Sequence, residues 1–133
     1  MSAEQSLKNS YTYVGILLVL EGFSFLISPH LTTKLLLLSP LQTAQAEQYA
    51  RVAGLAIVVI GYYYCVAGKY TLIGLFRASV VGRLLILPAI SAMIFFYSVE
   101  VSFLLFGIQD FLTAIWSYFC LKAYDAEQAK LKK

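Results

Sequence analysis

Four apolar runs, at about residues 11–27, 48–67, 71–97 and 101–123, occupy most of this 133-residue chain. A helix needs ~20 largely apolar residues to span the hydrocarbon core of a bilayer, and a short one manages with ~17. Lipid offers no partner to a backbone amide or carbonyl, so a segment of this kind must satisfy its own polar groups as a helix. The chain is 60% hydrophobic and 13% charged, against roughly 45–50% and 25% in soluble domains. A water-soluble fold of this size could not bury that much apolar surface. The expected architecture is therefore all-α: an integral membrane, antiparallel four-helix bundle forming one multi-pass domain over residues 1–133. A net charge of +3 with no basic stripe argues against nucleic acid as a partner and leaves the lipid bilayer as the first one.

The first run carries Glu21 and is not followed by a small-x-small cleavage pattern, so it is expected to remain as a helix rather than be removed as a signal peptide. Between the first two runs, Ser28-Pro29 and Ser39-Pro40 each read as an N-cap followed by proline at the first helical position, and Gln42 completes a capping-box spacing after Ser39. This predicts a short interfacial helix near 29–38 and a new helix beginning at 40. Gly68-Lys69 is the expected second turn and Tyr97–Glu100 the third connection. Short connections favour antiparallel neighbours in an up-down-up-down order.

Basic residues set the orientation. Lys8, Lys69, Lys122, Lys130, Lys132 and Lys133 fall on the side holding both termini, with Arg77 just inside it, whereas the other side offers Lys34 and Arg51. Both termini are expected in the cytoplasm, with the final lysines as a solvated tail at the membrane surface. Nothing in the residues says which membrane this is.

Helices in lipid associate through close approach at small residues rather than through a hydrophobic drive. Gly15 and Gly22 sit a heptad apart in the first run, and Gly54 and Gly61 in the second; Gly74, Ala78 and Gly82 recur every four residues in the third. These read as helix-packing positions, within one bundle or between copies. Pro88 cannot donate a backbone hydrogen bond and is expected to bend the third helix beyond Arg83.

Three ionisable residues lie deep in these runs. At 1.5 Å per residue, Glu21 is roughly 15 Å in from Tyr11, Arg83 about 18 Å in from Thr71, and Asp110 about 15 Å from Glu100. Charges at that depth are costly and must be paired or functional. One reading is a buried ion network that fixes helix order, with Asp110 and Arg83 as the preferred bidentate pair. Glu21 then shares Arg83, reaches Arg51 or carries a proton, while Arg51 has Glu47 one turn earlier. The other reading is a polar pocket for the head of an amphiphile. Gly107, Asp110, Thr113 and Ser117 form a polar stripe on the fourth helix, which would line such a pocket or pack against protein.

Other residues carry weaker signals. Tyr62, Tyr63, Tyr64 and Tyr70 suit an interfacial aromatic belt. Cys65 and Cys120 lie near one membrane level. His30 is the only histidine and reads as a loop residue, with Glu47 or Glu100 as candidate partners. No metal-ligand set, phosphate loop or catalytic triad appears, so no catalytic residue, metal or cofactor is named.

The segments RVAGLAIVVIGYYY (Arg51–Tyr64), FRASVVGRLL (Phe76–Leu85) and LLFGIQDFLTAIWSYFCLKA (Leu104–Ala123) resemble small four-helix membrane proteins of the broad DoxX-like type. The resemblance covers roughly the last 80 residues and implies an antiparallel four-helix bundle in which Arg51, Arg83 and Asp110 are family-type positions. It implies no single activity. The leading expectation is a non-enzymatic accessory or scaffold protein that binds a lipid or quinone between helices, in a larger membrane complex or a homo-oligomer. A membrane oxidoreductase component or other enzyme using the Glu21/Arg83/Asp110 pocket is one alternative. A small transporter or proton-conducting oligomer is another.

Overall fold

A computed structural model describes residues 2–132; Lys133 of the basic tail lies outside the described residues. The elements are α1 (Ala3–Ile27), α2 (Pro29–Leu35), α3 (Ala44–Tyr70), α4 (Ile73–Tyr97), a 3-10 turn (Val101–Phe103) and α5 (Leu104–Leu131). All but α2 and the short turn are long and apolar enough to cross a membrane. This is a small all-α, multi-pass membrane protein with a four-helix bundle and a short helix between its first two long ones.

The long helices form two antiparallel pairs. α1 packs along α3, α4 packs along α5, and α1 lies against α5 to join the pairs. α3 and α4 are consecutive yet scarcely touch. A short loop makes helices antiparallel, as expected, but it does not oblige them to pack.

Glycines determine the α1/α3 pair. A Cβ at Gly22 would fall 2.6 Å from the Gly54 carbonyl oxygen, and one at Gly61 would fall 2.7 Å from that of Gly15. The two heptad spacings mesh in antiparallel register and bring backbone against backbone. Gly74 and Gly82 are different: a Cβ on either meets nothing within 4 Å, and Ala78 between them is exposed. That stripe is not a packing surface within this chain. Gly74 and Ala78 face away because α4 turns Phe76, Val80 and Arg83 inward instead, and Gly82 lies beside Arg83 at the edge of that inward face.

Three predicted boundaries move, the first being the end of the short helix, which stops at Leu35 and not at 38. α3 starts at Ala44, not at 40: Thr43 is its cap, with its hydroxyl accepting from the Ala46 amide at 3.1 Å. The Ser39 amide instead donates to Glu100 Oε2 at 2.8 Å, which ties this loop to the α4–α5 connection. α3 also continues through Gly68-Lys69 to Tyr70. Gly68 is small because Thr12 Oγ1 would lie 2.5 Å from its Cβ, and the turn falls to Thr71 at φ 53°, a costly conformation for a β-branched residue. Ser98, also left-handed, closes α4, which runs unbroken through Pro88.

The best-buried cluster, Leu7, Tyr11, Ala67, Phe76 and Leu121, lies toward the end of the bundle that holds both termini. Polar ties close that end: Glu127 Oε2 accepts from the Ala3 amide at 3.0 Å, and Arg77 pairs with Asp125 at 2.7 Å. The opposite, loop-bearing end is more open.

Candidate functional site

Because α3 and α4 do not close on each other, a cavity of about 420 Å³ enters the bundle between them. Glu21 from α1, Tyr64 from α3, Gly82 and Arg83 from α4, and Gln109 and Asp110 from α5 line it, among apolar walls that include Ile57, Ile60 and Phe106. The three deep charges come from three separate helices to one place, as their depths imply.

Arg83 is 5% exposed, and none of its three side-chain nitrogens has a hydrogen-bond partner among the described residues. Its guanidinium carbon lies 5.4 Å from the Tyr11 ring centre and 5.5 Å from that of Tyr64, within cation–π range. The expected bidentate pair with Asp110 is not formed: among the described residues Arg83 belongs to no ion pair. Asp110 still shares its cavity and its electrostatic field. The aromatic faces draw the guanidinium sideways and leave its donors free. Glu21 interacts with Gln109 and lies within the field of Asp110.

Tyr11 is the hinge of this arrangement. Its hydroxyl donates to the Phe76 carbonyl at 2.7 Å and lies 2.7 Å from Ser79 Oγ, so α1 grips α4 one turn or more before Arg83. Its ring stacks on Phe76 at 3.9 Å and lies 5.6 Å from Tyr64. Tyr64 thus leaves the aromatic belt assigned to it and turns inward, while Tyr62, Tyr63 and Tyr70 stay 57–63% exposed.

A second cavity, of about 480 Å³, adjoins the first toward the loop-bearing end. Ile57 and Phe106 line both. Its walls are mostly apolar, with Ser39 and Glu100 at the far rim. The two cavities thus adjoin across Ile57 and Phe106, with a polar floor at Arg83 on one side and an apolar channel under the α2 loop on the other.

Three predicted site residues lie elsewhere. Arg51 lines neither cavity. It pairs with Glu47 at 2.7 Å and donates to the Leu26 carbonyl, so it caps the C-terminal end of α1. His30 Nε2 lies 3.4 Å from Glu47 Oε2. Glu47 stands in the first turn of α3, ahead of the apolar run, and the hydrogen bond from Arg51 followed by that from His30 holds its carboxyl below the usual glutamate range. Thr113 is absorbed by its own helix, donating to the Gln109 carbonyl at 2.8 Å. Ser117 is fully buried, its hydroxyl without a hydrogen-bond partner among the described residues, and is also outside both cavities. Cys65 and Cys120 are free thiols, and Cys65 packs against Gly15.

Sequence reasoning missed Tyr11, Ser79 and Gln109. Gln109 could have been found as a second polar residue beside Asp110 in an apolar run. Tyr11 gave no signal, because a tyrosine at the start of a span reads as an interfacial anchor. Comparison with protein-family models, curated proteins and solved structures gives no significant match.

Proposed function

We propose that this chain is a non-enzymatic accessory or scaffold protein of a membrane, which holds a lipid or quinone in the crevice between α3 and α4. The observation that carries this reading is Arg83: a cation 5% exposed, with every donor unpartnered, facing a cavity. A charge taken out of water without a hydrogen-bond partner is costly, and a bound molecule that accepts from it offsets that cost. The gap between consecutive helices gives such a molecule a lateral way in from the bilayer. The resemblance to DoxX-like proteins accords with this reading, since Arg83 and Asp110 are the positions the resemblance singles out.

Purification under gentle detergent extraction, followed by mass spectrometry of the retained small molecules, tests the reading. A lipophile bound in near-stoichiometric amount, and lost on Arg83→Met, is the expected result. An empty, fully closed interior in an experimental structure would overturn it.

A partner protein or second copy is also part of this reading. Gly74 and Ala78 are exposed and line neither cavity, and small residues of that spacing admit a neighbouring helix. We take both termini to face the cytoplasm, a reading that the distribution of Lys and Arg supports. Single cysteines introduced at Lys130 and at Ser39, challenged with an impermeant maleimide on intact cells, should react only at Ser39.

A further inference from the structure

We infer that the occupant of the crevice is an uncharged lipid with a carbonyl head on one apolar chain, its oxygen on Arg83 and its chain running toward Glu100. This rests on the reading that the crevice holds a membrane-derived molecule, and adds its head chemistry and direction.

The depth of the floor limits the head. Arg83 is about 15 Å along α4 from Ile73 and about 21 Å from Tyr97, near the middle of a core ~30 Å thick. A phosphodiester head would have to leave the interface and lose its hydration to reach that level. A weakly polar head does so at small cost, as the hydrocarbon interior already admits it.

The charges around the floor narrow it further. A fixed cation would meet the guanidinium, and a fixed anion would enter a cavity that also holds Glu21 and Asp110. A neutral group with a strong acceptor avoids both conflicts. Arg83 supplies only donors, all free and all buried. A carbonyl oxygen can accept two of them at once.

The walls give the direction. The only apolar continuation of the floor among the described cavities is through Ile57 and Phe106 into the second compartment. Each compartment is of the size that takes one small molecule, which suits a single long chain and not a pair.

The test is photo-crosslinking of the full-length protein in mild detergent, with a long-chain methyl ester carrying a mid-chain diazirine as probe. Peptide mass mapping should place saturable label on the segments containing Ile57 and Phe106. Unlabelled ester and a long-chain quinone should each compete about ten-fold or more better than hexadecane, as one hydrogen bond to a charged donor allows. Whichever of the two competes more strongly identifies the source of the carbonyl. Arg83→Met should abolish that discrimination while hexadecane competes as before, and Arg83→Lys should retain part of it. Equal competition by ester and hexadecane would overturn the carbonyl assignment, as would a lysophospholipid that outcompetes both. Label confined to other surfaces would overturn the crevice reading itself.

Discussion

The guanidinium of Arg83 sits against the face of Tyr11, 5.4 Å from its ring centre, with that tyrosine's hydroxyl fixed to the Phe76 carbonyl two turns earlier on the same helix. One side chain of α1 thus both anchors α4 and holds its buried charge in place, without neutralising it.

Replacing Arg83 by methionine tests whether the charge is structural. A paired buried ion that loses its partner costs ~3–5 kcal/mol. Arg83 has no such partner here, so Arg83→Met should leave stability within about 1 kcal/mol of the parent, or above it. Thermal unfolding in detergent reads the difference, and a loss of several kcal/mol would show an ion pair with Asp110.

Tyr11→Phe keeps the ring and removes the hydroxyl. The Phe76 carbonyl and Ser79 then lose a contact of 2.7 Å each, which should lower stability by about 1 kcal/mol. The ring remains against Arg83, so ligand retention should be less affected than stability.

Two glycine substitutions should separate packing from exposure. Gly22→Ala places a Cβ 2.6 Å from backbone on α3 and should destabilise by about 1–3 kcal/mol, the usual cost of overpacking. Gly82→Ala meets open space and should stay within about 0.5 kcal/mol. The same denaturation series measures both, and equal effects would contradict the register of α1 on α3.

The Arg51–Glu47–His30 cluster predicts a pH response at the loop-bearing end. Glu47 titrates below its ordinary range because Arg51 and His30 bind its ionised form. A lowered acid pKa stabilises above the unfolded value, and that contribution is lost as the pH falls through the folded one. Protection from hydrogen exchange at the end of α1 and in α2, taken relative to the intrinsic rate at each pH, should therefore fall on acidification. Arg51→Met should show raised exchange there already at neutral pH.

Much of this architecture could be read from residues alone. Helix number and rough span follow from apolar length, which the bilayer imposes on composition. The α1/α3 pairing was legible in the matched heptads of Gly15/Gly22 and Gly54/Gly61. Convergence of Glu21, Arg83 and Asp110 was legible as depth, since rise per residue is fixed. What stayed hidden was rotation about the helix axes. Arg83 could be given its level, but the partner expected for it, Asp110, forms no ion pair with it among the described residues, and Tyr11 could not be told from an interfacial anchor. Ser39 carried every sign of a cap, yet Glu100, distant in sequence, claimed its amide. The stripe of Gly74, Ala78 and Gly82 was visible, but not that its first two members would face outward and Gly82 would border the cavity.

The left-handed residue at Thr71 joins two hairpins whose adjoining helices, α3 and α4, hardly meet. Each half completes a hairpin from its own stretch of chain, so the first can assemble before the second has been synthesised. A break at Thr71 would leave both hairpins whole, and the opening beside Arg83 is the gap that this one covalent joint spans.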